Sequence, residues 1–305
     1  TAPISKLVIN TFDLSQTPDV PAFLGKLEIP MTAGVVDATL ANDDTQLVIL
    51  TDEVQQRLLN ITLTNMSSPI QNLSKDLISG TRGFSLSNSH NIVVLAQGKD
   101  GVAFYAIDND GVLQLAQVLS TTGYVHQITA NGNYLYVLVD DVAQQNGINP
   151  TAPNTLITYK FITDVVSGVA TLDTNLQPVN TYVHTSLSDD LYTINAYRIS
   201  QIVPYLNDDV MMLSALATSE LCTNNCQRIS IINATEVTPT LRTETEFKGV
   251  ATGMAVAKND VVVLQRTTPT SSASRLTSFQ VSDRRWATTA CDQAGNCTVQ
   301  AATTN

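Results

Sequence analysis

Four cysteines, three histidines and a scatter of acidic residues are the groups through which this chain could do chemistry. Cys222 and Cys226 bracket Thr-Asn-Asn, and Cys291 and Cys297 bracket Asp-Gln-Ala-Gly-Asn. Turn-forming residues between two cysteines let a disulfide staple a loop or hairpin, which is the expectation at both pairs. A zinc site is the rival reading. Cys222 and Cys226 have an acceptable ligand spacing for it, Cys291 and Cys297 do not resemble a knuckle, and His90, His126 and His184 sit in unrelated segments. Disulfides imply an oxidising compartment.

Asp108-Asn109-Asp110-Gly111 mimics the start of a calcium loop, but the position that needs a further acidic ligand is Leu119. A tight hairpin turn explains the same residues. The doublets Asp43-Asp44, Asp140-Asp141, Asp189-Asp190 and Asp208-Asp209 fall at loop positions, where turn chemistry and solubility account for them. Glycoside chemistry needs two facing carboxylates. Asp37 and Asp52 at the ends of an apolar strand pair, and Glu220 and Glu236 in loops, carry no sign of pairing or burial. The sequence holds no G-x-S-x-G, P-loop, G-x-G-x-x-G or H-E-x-x-H. No catalytic residue, cofactor or metal is expected. His126 sits at the start of an apolar strand, where ligands can collect, but a lone polar residue there reads first as a hydrogen-bonded structural group.

The elements that must carry these groups are strands. Of 305 residues only 14% are charged, while 39 are Thr, 22 Ser and 23 Asn. Thr suits pleated surfaces and Asn and Ser suit turns, so the polar positions read as β. A net charge of −11 and a pI near 4.5 disfavour nucleic acid and anionic membrane as partners. No apolar run of membrane-spanning length is present, so membrane insertion is not expected.

An internal repeat organises the strands. A moderately apolar strand, a polar turn and a strongly apolar strand recur from Asp37, Gly83, His126, Gln201 and Gly253. The turns centre near Asp43, Ser89, Gly132, Asp208 and Asn259, giving separations of 46, 43, 76 and 51 residues. Three of these match one propeller blade of roughly 40–50 residues. The runs LVIL, IVVL, LYVL, VMML and VVVL have the character of strands buried on both faces. A second hairpin alternates with the first, from Lys6, Arg57, Val102, Arg228 and Arg275, with a degenerate copy from Thr155. The long separation is assigned to loops inserted into one blade, in the polar stretches 140–154 and 176–190. The expected fold is all-β, a β-propeller of about five to seven four-stranded blades.

Six second hairpins against five first ones suggest a propeller over residues 1–285, incomplete at the N-terminus, followed by a stapled hairpin or the start of a further module over 286–305. Leu7-Val8-Ile9, Asp13-Leu14-Ser15, Pro21 and Leu24-Gly25 carry a recognisable blade pattern, which Leu58 to Leu73 and Ile229 to Leu241 follow loosely, with Asn65 or Asn233 replacing the Asp. The pattern resembles the LVIVD-repeat propellers, a family of secreted and cell-surface prokaryotic proteins. The resemblance implies the fold and the compartment and assigns no catalytic residues. The expected function is a non-catalytic extracytoplasmic binding or structural module of a larger surface protein or assembly, meeting a protein or glycan or associating with itself. A hydrolase or lyase acting on a carbohydrate or lactone, and a subunit of an extracellular filament or layer, are the alternatives.

Overall fold

The computed structural model describes residues 5–13, 15, 21–108, 110–140, 153–183, 199–206, 209–216, 226–257, 260–266, 274–282, 285–291 and 297–300. Every regular element among them is a strand. A two-stranded hairpin, β1 (Ser5–Asp13) and β2 (Ala22–Met31), comes first. Five antiparallel sheets follow, each built on a four-strand meander, and together they make a β-propeller.

The first sheet holds β3 (Val35–Ala41), β4 (Gln46–Thr51) and β5 (Arg57–Thr62), with short β6 (Ile70–Gln71) and β7 (Lys75–Asp76) both pairing with β5. The second holds β8 (Ser85–Ser89), β9 (Ile92–Ala96), β10 (Val102–Ile107) and β11 (Leu113–Leu119). The third runs β12 (Val125–Asn131), β13 (Tyr134–Asp140), β14 (Pro153–Lys160), with β15 (Ile162–Val166) and β16 (Val169–Leu172) set apart as a hairpin before the fourth strand, β17 (Pro178–Val183). The fourth comprises β18 (Ile199–Tyr205), β19 (Asp209–Leu216), β20 (Cys226–Asn233) and β21 (Thr240–Lys248). The fifth comprises β22 (Val250–Ala257), β23 (Asp260–Arg266), β24 (Ser274–Ser282), β25 (Arg285–Cys291) and β26 (Cys297–Gln300). The chain divides into two compact units, Thr1–Leu135 with Lys160–Leu176, and Tyr136–Tyr159 with Gln177–Asn305.

In the first unit, Val48, Leu50 and Leu58 of the first sheet pack on Leu86, Val93, Leu95 and Tyr105 of the second. The opposite face of the first sheet, through Ile49, Leu59 and Ile61, packs on Leu7, Ile9, Leu27, Ile29 and Met31 of the β1–β2 hairpin. In the second unit, Met211, Leu213, Ile229 and Ile231 meet Met254, Val261, Val263 and Val281, closed at one end by Trp286. The runs IVVL of β9 and VMML of β19 are buried at all four positions, as two-sided burial requires. VVVL of β23 departs from that expectation. Val261 and Val263 are buried, but Leu264 is 40% exposed, so this strand buries one face and follows ordinary alternation.

The expectation of an inserted loop over 176–190 fails in part, because Pro178–Val183 forms the fourth strand β17. The segment from Thr155 was read as a hairpin, yet β14 pairs with β17, and the residues between them fold as β15–β16. Phe161 is fully buried, its ring centroid 5.8 Å from that of Phe104, and its N–H donates to Asn133 O at 2.9 Å. The Ala170 N–H donates to Asn91 Oδ1 at 2.9 Å. Burial of Phe161 and these two bonds hold the hairpin on the first unit.

Polar side chains stitch neighbouring first strands. Asp37 Oδ2 on β3 accepts the Leu86 N–H of β8 at 2.7 Å, and Thr39 Oγ1 donates to Asn88 Oδ1 at 3.0 Å. One sheet on, Ser87 Oγ accepts the Ala130 N–H at 2.8 Å and Ser89 Oγ donates to Gly132 O at 2.7 Å. In the second unit Gln201 takes both backbone groups of Met254, its Oε1 accepting the N–H at 2.6 Å and its Nε2 donating to the carbonyl at 2.9 Å. The residue separations, 49, 43 and 53, are those of the repeat. Met254 is 5% exposed, so losing Gln201 strands two buried backbone groups. Gln201→Leu is expected to cost about 1–3 kcal/mol, read as a lowered denaturation midpoint with unchanged far-UV circular dichroism.

Candidate ligand-binding site

The residues expected to do chemistry are dispersed by the fold and used within it. Asp108 Oδ1 accepts the N–H of Asp110 at 3.0 Å and of Val112 at 2.8 Å, closing its own turn, and Gly111 takes the positive φ of 73° there. Asp43 and Asp44 lie in a left-handed turn with φ of 52° and 61°. Both carboxylate oxygens of Asp37 accept backbone N–H groups, and Asp52 pairs with Arg82. The Glu236 carbonyl accepts a bond from buried Asn180 at 2.7 Å. Asp209 is wholly buried at the start of β19. Glu220, His184, Cys222 and the doublet at 189–190 lie outside the described residues. Among the described residues no group of three or more His, Cys, Asp or Glu is arranged to hold a metal ion.

Of the two cysteine pairs, Cys226 opens β20, with Leu216 and Lys248 as its register partners. Cys291 and Cys297 are directly opposite one another at the end of the β25–β26 ladder. The side chains of Cys226, Cys291 and Cys297 lie outside the described residues.

Among the described residues, His126 belongs to a row of partly exposed rings. Its ring centroid is 5.0 Å from that of Tyr124, and Tyr124 is 5.5 Å from Phe84. Both spacings fall in the range of favourable ring pairs, worth about 0.5–1.5 kcal/mol each. The three rings stand at the same end of β8 and β12, and Phe84 is 36% exposed. Beneath them the chain needs glycine. A Cβ on Gly98 would lie 2.7 Å from Tyr124 Cζ and 2.8 Å from Phe84 Cε2, and its φ of 59° is left-handed. The Val125 N–H donates to Gly98 O at 3.1 Å and the Phe84 N–H to Ala96 O at 2.9 Å, which fixes both strand starts.

The loop between β4 and β5 holds the other side. Gln56, 2% exposed, grips the backbone of Gly83, its Oε1 accepting the N–H at 2.6 Å and its Nε2 donating to the carbonyl at 3.3 Å. Gln55 Nε2 donates to Leu77 O at 2.7 Å. Glu53 takes Arg57 in a two-pronged pair at 2.6 and 3.0 Å and also accepts from the Thr32 N–H and hydroxyl. The Arg57 hydrogen bond is the main reason that the Glu53 carboxyl lies below its ordinary range. The more exposed Arg82–Asp52 pair, two residues before Phe84, contributes at most about 1 kcal/mol.

A partly exposed aromatic row at strand starts can stack a planar or apolar ligand face. Sequence reasoning placed His126 at a strand start, reading it first as a structural group, and missed Phe84, Tyr124 and Gln56. A signal was present: Gly83-Phe84 and Gly123-Tyr124 repeat a glycine–aromatic step at the same place in successive sheets.

No protein-family profile matches the chain, and no curated protein matches it. Solved structures do. A functionally unknown protein from Desulfotomaculum acetoxidans is 14% identical, with 96% of this chain and 75% of that one covered, at a TM-score of 0.55. A putative 6-phosphogluconolactonase from Bacteroides uniformis is 8% identical, with coverage of 97% and 81% and a TM-score of 0.56. The β-propeller domain of Cps50 (Swd1) from Myceliophteria thermophila matches at 13% identity, 83% and 67% coverage and a TM-score of 0.47. The first two likenesses show the fold and, at such identities, the fold alone.

Glu53 gives the scaffold a defined pH response. Its lowered carboxyl contributes stability above the ordinary value of 4.5, lost as pH falls through the lower folded value. The wild-type unfolding midpoint should therefore fall on acidification below that value. Glu53→Gln should be less stable at neutral pH and show a shallower acid limb in the same thermal melts.

Proposed function

We propose that the chain is a non-catalytic binding module of the cell exterior, recognising its partner through the row Phe84, Tyr124 and His126. The observation that carries this reading is the row itself: three ring side chains, partly open to solvent, on strand starts locked by Gly98 and Gln56. Such a platform suits a saccharide ring, whose flat C–H face covers aromatic carbon. The exterior placement draws support from the low charge content, the LVIVD-like hairpins and the cysteine spacing.

Binding is tested by calorimetric titration with a panel of oligosaccharides. Tyr124→Ala and Phe84→Ala should each weaken the best ligand by about tenfold, equivalent to 1.4 kcal/mol, with unchanged far-UV circular dichroism and a melting midpoint lowered by the lost ring pairs. Hydrolysis of a sugar lactone by the wild-type chain, reduced in the same variants, would instead place this protein among enzymes and overturn the reading.

The exterior placement has its own check at Cys291 and Cys297. Directly opposed residues of an antiparallel pair have Cα atoms about 4.5–5.5 Å apart, inside the span of about 4.4–6.8 Å that a disulfide bridges. Chain exported to an oxidising compartment is expected to carry this bridge, seen as protection of both thiols from alkylation until reductant is added. Free thiols in exported material would count against it.

A further inference from the structure

The fourth sheet sorts its side chains by parity. Met211 and Leu213 of β19 and Ile229 and Ile231 of β20 pack against Met254, Val261 and Val263 of the fifth sheet. Alternate residues of a strand point to opposite faces, and residues directly opposite on neighbouring strands share one. The register sets Ser214 opposite Arg228, Met212 opposite Ser230 and Ser230 opposite Glu244. Ser214, Arg228, Ser230 and Glu244 therefore lie on the face turned away from the fifth sheet.

That face meets the third sheet, within the second compact unit. Asn180 of β17 donates from Nδ2 to Ala234 O at 2.5 Å and to Glu236 O at 2.7 Å. Two residues on, burial raises the Tyr182 hydroxyl above its ordinary range, and the charge of Glu244 raises it further against Arg228. Thr158 of β14 is the register partner of Asn180, so it shares the face that looks onto the fourth sheet.

Four side chains on these facing surfaces, Thr158, Asn180, Ser214 and Ser230, are each at most 7% exposed. One oxygen of each, Thr158 Oγ1, Asn180 Oδ1, Ser214 Oγ and Ser230 Oγ, has no protein hydrogen-bond partner. Buried oxygens are rarely left so, because the lost hydration is not repaid. Three hydroxyls that both donate and accept, with one amide oxygen that accepts, call for a small neutral molecule with both capacities. Arg228, held by Glu244 at 3.2 Å and Glu246 at 2.6 Å, leaves no unbalanced charge on this face to draw an ion of either sign.

We propose that ordered water is bound between the third and fourth sheets, joining Ser214 and Ser230 to Thr158 and Asn180. Water of this kind forms part of the fold, since its several hydrogen bonds replace those the side chains gave up on burial. The site is independent of the aromatic row, which lies on other strands.

A high-resolution crystal structure and thermal melts test the proposal together. Water density is expected within about 2.5–3.2 Å of at least two of the four oxygens. Ser214→Ala and Ser230→Ala should each lower the melting midpoint with unchanged far-UV circular dichroism, because each removes an anchor of the water. The double variant should lose less than the two single losses added, since both act on one network. A dry contact between the sheets, or a metal ion in that place, overturns the proposal. So does a midpoint that holds or rises in both single variants, the result expected for hydroxyls that have no partner to lose.

Discussion

The first strand of every sheet is an edge, and an edge leaves backbone N–H and C=O groups without a ladder. In this protein the preceding sheet supplies side chains in place of a strand. Asp37 and Ser87 accept the N–H of Leu86 and Ala130, and Gln201 takes both groups of Met254. The contact satisfies groups that burial would otherwise penalise, and it sets the offset between sheets, because a polar atom must face a particular peptide. Ser87 and Gln201 make the contact with uncharged side chains. An oxygen or amide on a short side chain reaches a neighbouring backbone, where a lysine or glutamate would have to bury a charge.

The same logic builds the candidate site. With strand starts fixed to their neighbours, a short residue step at each start carries a side chain to a reproducible place. Gly83-Phe84 and Gly123-Tyr124 use that place for aromatic rings that meet over Gly98. The loop from Asp52 to Gln56 contributes no ring, yet Gln56 holds Gly83 by two hydrogen bonds and Glu53 ties the loop to Thr32 and Arg57. The site is therefore rigid because of residues that never touch its surface.

Where sequence and structure part, the cause lies in what covers a strand. VVVL of β23 has the composition of IVVL of β9, but Leu264 meets solvent and the residues of β9 do not. Hydrophobic runs report what a strand could bury, and the neighbour decides how much it does. The segment after Thr155 shows the same limit for pairing. Its alternation suits a hairpin, but β14 takes β17 as partner because Phe161 and Ile162 find a better-covered position with Asn133 and Phe104. The acidic residues divide likewise: Asp108 closes a turn within five residues, which local sequence can reveal, whereas the Asp37 partner is 49 residues away.

By itself the sequence determined that the chain is all-β, that it repeats with blade-like spacing, and which runs form the second strands, since all three follow from local periodicity and turn chemistry. The His126 strand start was legible for the same reason. Tertiary structure alone decided that Tyr124 and Phe84 join that histidine and that Gln56 and Gln201 clamp distant peptides. Those facts depend on which strands become neighbours, and a side chain's pattern along one strand carries no record of the backbone that faces it.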